Sequence, residues 1–495
     1  MPRLLSKSKY LNGLQCPKYL WMLFHQPELI PPPDAATQRL FDQGNIVGEL
    51  ARKRFPGGIS IPDDNFGENL KQTRALLRQR KPIFEAGVLV KNIYARADVL
   101  VPVNDDEWDI IEVKSSAGVK DINLHDASFQ KFCYEKAGLN IRKCYLMHIN
   151  NKYVRNGEID PYQLFTMADV TGRVLEEGRG IEDRAVEMLE VIAAERCPDV
   201  AIGLHCDSFY GCPVESCRDF LPEDDVFQLY RGGRQCYDLL ERGIFSLKDI
   251  PGDFKLDGRQ RIQQQCALTG LPHVNPGEIR KFLGSLEYPL YYLDFETFSP
   301  AVPLFDGTRP YQGIPFQFSV HVVEKRKARP RHYSFLAEGR KDPRRELLVA
   351  LERTLGDSGS IVVYNQSFES GVLSDLGGLF PEYHDRMGNM RGRIIDLLAP
   401  FRGFDYYHPL QKGSASIKDV LPALTGTSYE GLGINNGEIA SSAFLEITFG
   451  DVPDEERRKV RADLEEYCKL DTLGMALIVD KLKELSAAPK KGATS

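Results

Sequence analysis

No apolar run in this chain approaches the roughly 20 residues that cross a bilayer, so no transmembrane helix is expected. Basic residues occur between Met1 and Tyr10, but no apolar core of a secretory leader follows them, and a soluble, cytoplasmic protein is expected. Cationic excess is missing too: the net charge is −7, which excludes a histone-like, generally adhesive nucleic-acid binder. It does not exclude a nuclease, whose catalytic carboxylates are themselves acidic. No internal repeat is present. With 42% hydrophobic and 27% charged residues the composition is that of a globular protein. A single core stops growing at about 250–300 residues, so 495 residues imply two or more domains.

Local cation density exists despite the acidic total, at Arg52-Lys53-Arg54, Arg78 to Lys81 and Lys325 to Arg331. Each reads equally well as a phosphate contact or as a solvated surface.

The residue pattern divides the chain at about 220 and 285. Helical spacing covers Ser6 to Phe24 and Ala35 to Phe55. Strand-like runs follow at Phe84 to Val90, Ala95 to Val103 and Trp108 to Lys114. A helix at Asp126 to Ala137, a strand at Lys143 to Ile149 and a long helix at Ala168 to Glu195 complete residues 1–220. Residues 221–285, with short apolar runs broken by Gly and Pro, read as a helical connector. From 286 to 485 strands come first and then alternate with helices, which indicates an α/β domain with a mixed sheet. Residues 486–495 are polar and basic and read as a disordered tail.

The segment Y-Y-L-D-F-E-T ends an apolar strand with Asp294 and Glu296. Residues two apart on a strand share a face, and adjacent carboxylates repel unless a cation lies between them. Mg2+ or Mn2+ suits such oxygen ligands. A second apolar strand, I-V-V-Y-N-Q-S-F-E, delivers Asn365 and Glu369, and Asp396 in I-I-D-L is a rival ligand. On the last helix, Y-C-K-L-D puts Tyr467 and Asp471 four residues apart on one face. From Leu286 to Leu485 the sequence resembles the DnaQ-like, or DEDD, 3′–5′ exonucleases of the RNase H-like fold. That resemblance implies metal binding by Asp294, Glu296 and Asp471, with Tyr467 orienting the attacking water. Glu369 stands where the family usually has aspartate.

A second set lies upstream: Asp98 in R-A-D-V-L, Glu112 and Lys114 in I-I-E-V-K, and Gln130 and Tyr134 in Q-K-F-C-Y. Two strand-borne carboxylates would hold a divalent ion while the lysine stabilises developing charge. This stretch resembles the RecB-like branch of the PD-(D/E)XK nucleases, which have a restriction-endonuclease-like fold. Glu49 stands where that branch often has a helical His or Glu, though a surface glutamate explains it as well.

Of ten cysteines, Cys206, Cys212 and Cys217 crowd one stretch. Without a leader, metal ligands or buried thiols are expected rather than disulfides. Cys133, Cys144, Cys236, Cys266 and Cys468 read as small buried hydrophobes. Some RecB-like nucleases hold a [4Fe–4S] cluster by one cysteine before the core and three after it. Cys16, Cys206, Cys212 and Cys217 match that order, with Cys197 a weaker competitor. Four thiolates would also take zinc. The joint expectation is a two-nuclease enzyme acting on nucleic acid, single-stranded DNA foremost. The alternative is a nucleic-acid-binding or scaffolding protein in which one or both domains are inactive.

Overall fold

The computed structural model describes residues 3–62, 65–209 and 211–487. From residue 488 onward the expected tail lies outside them. Among the described residues no helix is long and apolar enough to cross a membrane. The chain forms two compact α/β units. One comprises residues 1–220 and 300–312, the other 221–299 and 313–495.

The first unit is built on a seven-stranded mixed sheet. Its central hairpin pairs Ile83–Val90 with Ile93–Pro102, and Ile93–Pro102 pairs antiparallel with Glu107–Lys114. Glu107–Lys114 then pairs parallel with Asn140–Ile149. A parallel pair needs a crossover, here the helix Asp121–Lys136. That helix is buried on nearly every side, with Phe129 and Tyr134 in the core beside Ile110 and Leu146. On the other face, Val47 and Ala51 of the helix Ala35–Arg52 join Val99, Ile111 and Ala301.

Two expected helices are interrupted. Cys16 divides the first into Lys7–Gln15 and Pro17–His25. The residue before a proline is pushed to extended backbone, and Cys16 sits at φ −159° and ψ 123°. Pro17 then starts the next helix without losing a bond it needs. The expected helix at Ala168 to Glu195 is a strand, Phe165–Asp169, followed by helices Thr171–Glu177 and Ile181–Ala193. Gly180, at φ +69°, takes the left-handed turn that separates the two helices.

The second unit contains a five-stranded mixed sheet. Its order is Arg331–Leu336, Ile314–Val323, Leu290–Phe298, Ile361–Val363 and Ile394–Asp396. The first three are antiparallel and the last two parallel to Leu290–Phe298 or its neighbour. The long helix Asp454–Ala487 buries Leu464, Tyr467, Cys468 and Asp471. Residues 221–285 belong to this unit rather than standing apart. They carry helices Arg234–Glu241, Gly258–Thr269 and Pro276–Gly284, and His273–Val274 pairs with Tyr406–Tyr407.

Candidate active sites

In the second unit, Asp294 and Glu296 extend from the strand Leu290–Phe298 and Asp471 from the long helix. Ligand oxygens of these three lie within 4.8 Å of one another, the one such group among the described residues. Strand periodicity puts the first two on one face. The helix brings the third from 175 residues away in sequence, because its apolar face must be buried against that sheet. Glu369, in the first turn of the helix Gln366–Leu379, is 1% exposed, and its Oε2 has no hydrogen-bond partner.

Few donors serve these acids. Cys468 donates its thiol to Asp294 Oδ2 at 3.4 Å, and the Tyr429 hydroxyl donates to Asp471 Oδ1. The nearest cation, Lys418, donates to the Tyr467 hydroxyl at 3.1 Å and lies 4.6 Å above the Tyr467 ring. Burial, then mutual repulsion, sets the acidities. Asp294 is held well above the usual range by burial and by Asp471. Glu296 is raised by burial, Asp294 and Asp471. Burial and Asp294 lift Glu369 to about 9. Burial lifts Asp471 to about 6, moderated by Tyr429, Lys418 and Tyr467. The Tyr467 phenol is pushed far up by burial and Asp471, so it remains a hydrogen-bond donor at neutral pH. Buried, crowded and poorly partnered carboxylates fit a divalent cation of the Mg2+ or Mn2+ type. Asp396 is used otherwise on one side: its Oδ1 accepts the backbone N–H groups of Asn365, at 3.1 Å, and Leu398, at 3.0 Å. Lys418 and Tyr429 had no sequence signal, since they lie in turns and short helices without a motif.

In the first unit, Asp98, Glu112 and Lys114 line a cleft of about 870 Å3 together with Glu49 and Lys7. Here the acids are well supplied. Glu112 Oε1 accepts from Lys7 at 2.7 Å and from Lys114 at 2.6 Å, and Oε2 accepts from Gln130 at 2.5 Å. Asp126 accepts from Lys114 at 2.6 Å and Gln130 at 3.1 Å. Asp98 Oδ2 accepts the Val113 N–H at 2.7 Å. Burial opposes ionisation of Glu112, but the Lys114 and Lys7 ammoniums win and hold it well below the usual range. Asp98 is pushed to about 7 by burial and Glu112, against the two lysines. Tyr134 does not reach the cleft. Its hydroxyl donates to Ala86 O and accepts from Ala97 N at 3.0 Å, which clasps the two hairpin strands beside Asp98. Its contacts are thus with the backbone that carries Asp98 rather than with the cleft. Lys7 and Asp126 escaped the sequence reading. Asp126 had a signal, being four residues before Gln130 and eight before Tyr134 on one helix face.

Cys16, Cys206, Cys212 and Cys217 line one small cavity, which Cys197 does not. Burial raises the Cys16 and Cys212 thiols, and the neighbouring cysteines raise them further. Among the described residues no three of these sulfurs lie within 4.8 Å of one another. Gln15 donates to Cys206 O at 3.2 Å, which ties the end of the Lys7–Gln15 helix to the cysteine stretch.

Of the cationic patches, Arg52 pairs with Glu85 at 2.8 Å, and Arg80 lies 4.2 Å over the Trp108 ring, both within the fold.

Residues 291–416 match the family described as a domain of unknown function, DUF2779. The matched stretch holds Asp294, Glu296 and Glu369 and stops before Tyr467. An uncharacterised protein, the MG366 homolog of Mycoplasma pneumoniae, is 29% identical over 208 residues, 38% of this chain and 31% of that protein. The uncharacterised protein MG366 of Mycoplasma genitalium is 25% identical over 218 residues, 39% of this chain and 32% of its own length. The chain thus spans about a third of the length of these curated relatives. A solved structure titled SSO0001 is 13% identical, with a TM-score of 0.21, over 38% of this chain and 77% of its own.

Proposed function

We propose that the protein is a metal-dependent nuclease whose principal site is Asp294, Glu296, Glu369 and Asp471, of the DEDD 3′–5′ exonuclease type. One observation carries this reading: three carboxylates, those of Glu296 and Asp471 buried and that of Asp294 partly so, share one small volume, and among the described residues no cation forms an ion pair with any of them. A bound Mg2+ or Mn2+ would draw charge from a phosphodiester and favour attack by water. Asp294, Glu296 and Asp471 would hold it. Tyr467, kept protonated and fixed by Lys418, orients the attacking water by its hydroxyl. Lys418 also offers positive charge to the phosphate. Glu369, protonated at neutral pH, would become a further oxygen ligand if a bound cation lowered its pKa. The test is degradation of end-labelled single-stranded DNA and RNA in Mg2+ or Mn2+, wild type against Asp294→Ala. Equal rates would end this reading.

The first unit is proposed as a second, RecB-like site, with Asp98 and Glu112 toward the metal and Lys114 toward developing charge. A specific observation favours a competing role for this unit as a binding module: Lys7 and Lys114 already neutralise Glu112. Cleavage in an Asp294→Ala background decides between them. For the cysteine site we favour iron–sulfur over zinc. That preference rests on the order of the cysteines, one before the core and three after it, which the RecB-like resemblance implies. Iron and sulfide analysis of protein purified without oxygen tests this; stoichiometric zinc alone would reverse it.

A further inference from the structure

The cleft holding Asp98 and Glu112 continues into a second groove of about 730 Å3, with Leu40 and Ser115 lining both. One wall is the helix Ala35–Arg52. Val47 and Ala51 are buried, yet Leu40 is 63% and Phe41 54% exposed at the cleft. Gly44 and Gly48 continue the same face, four and eight residues after Leu40. Glycine inside a helix costs stability. Close packing does not account for these two, since a Cβ added at either meets nothing within 4 Å. Their effect is to keep the wall low where the cleft runs. Beyond Leu40, Lys120 and Arg309 line the second groove, and neither forms an ion pair among the described residues.

We propose that these contiguous grooves form one track for a single strand of nucleic acid, with Leu40 and Phe41 as a stacking ridge and Lys120 and Arg309 as phosphate contacts. An exposed aromatic stacks on any unpaired base, whereas a duplex hides its base faces. Cations that form no ion pair among the described residues, at the far end, suit a backbone that carries one charge per nucleotide. The ridge thus selects strand form and leaves sequence unread. The inference rests on the first unit's cleft being a nuclease site.

The test uses the full chain with metal chelated, so that binding is read without cleavage. Anisotropy of a fluorescein-labelled single-stranded oligonucleotide is compared with that of its blunt duplex. Phe41→Ala weakens the single strand about 5- to 150-fold, which corresponds to about 1–3 kcal/mol of base stacking. Gly44→Leu fills the track and weakens it about tenfold or more, while the better helix former leaves the unfolding temperature undiminished. Lys120→Gln and Arg309→Gln each lower the salt slope by about 0.7. Ile46→Ala, exposed on the same helix but outside both grooves, binds as wild type. Ultraviolet cross-linking places adducts on the tryptic peptide 40–52. Wild-type affinity in both Phe41→Ala and Gly44→Leu overturns the track, as does equal loss for duplex and single strand. So do adducts confined to the second unit. A strand that binds here but is never cut in the Asp294→Ala background leaves the track standing and removes the nuclease reading of the cleft.

Discussion

The two carboxylate sites differ in what balances their charge. In the first unit both oxygens of Glu112 are occupied, by two lysines and a glutamine, and its acidity is increased. In the second unit Asp294, Glu296 and Asp471 crowd together with no ion-paired cation among the described residues, and all three resist ionisation, as does Glu369 beside Asp294. Around Glu112 the first arrangement is electrostatically closed, whereas Asp98 beside it resists ionisation, raised to about 7. The second has no ion-paired cation among the described residues. Similar residue types therefore meet opposite electrostatic surroundings in the two units. The deciding variable is whether the fold delivers a lysine to within about 3 Å.

The largest expected effect separates them by activity. Asp294→Ala should reduce metal-dependent exonuclease turnover by about 10³-fold while leaving metal-free stability unchanged or improved, since one repelling buried carboxylate is gone. Initial rates on a labelled strand, together with thermal melts in chelator, check both parts. Marked destabilisation would show that the second site is closed after all.

Lys114→Ala in the Asp294→Ala background should cost the residual cleavage about 10²–10³-fold, or about 2.7–4 kcal/mol of transition-state stabilisation. Equal residual cleavage would reduce Lys114 to a counter-ion.

Stability shows the contrast from the other side. Glu112→Ala leaves Lys7 and Lys114 facing each other beside Asp126. Breaking a buried pair costs about 3–5 kcal/mol, and the partial exposure of both lysines brings the expectation to about 2–3 kcal/mol. Glu369→Gln removes the cost of protonating this side chain on folding, so at pH 7 it should raise metal-free stability, by up to about 3 kcal/mol. Urea melts of the two variants measure the difference. Comparable losses would erase the distinction.

The pH response should run in opposite directions. Glu369 has a folded pKa of about 9 against an ordinary 4.5, so the folded state holds a proton that the unfolded state has released. Metal-free stability from that group therefore falls as pH rises between these values. Glu112, held low, contributes stability above its ordinary pKa and loses it as pH falls below about 4.5. A cation that displaces the proton binds better as pH rises. Mn2+ at 100 times its Kd should add about 2.7 kcal/mol, and at fixed Mn2+ the rise in melting temperature should be larger at pH 8 than at pH 6. A pH-independent increment would place the ion elsewhere.

The smallest effect concerns the cleft wall. Gly48→Ala should stabilise the chain by about 0.5–1 kcal/mol through helix propensity, because nothing stands within 4 Å of the added Cβ. A loss of stability would mean that the wall is packed.

Much was determined by the sequence alone. The alternation of the strand Leu290–Phe298 placed Asp294 and Glu296 on one face, and the four-residue step of a helix joined Tyr467 to Asp471 and Gln130 to Tyr134. Such periodicities are local and need no knowledge of the remainder of the chain. The break at Cys16-Pro17 was also legible, because the restriction before proline is local, but the apolar spacing on either side hid it. What each side chain meets was decided only by tertiary structure. Tyr134 shares a helix face with Gln130 and yet clasps backbone, while Asp126, one turn before Gln130, accepts from Gln130 and Lys114. Lys7 reaches Glu112 across 105 residues, and Lys418 reaches Tyr467 across 49. Charge compensation depends on distances of a few ångströms between segments that packing brings together. No spacing in the sequence records those distances, so the same Asp and Glu letters stand for a neutralised pair in one unit and an unpaired cluster in the other.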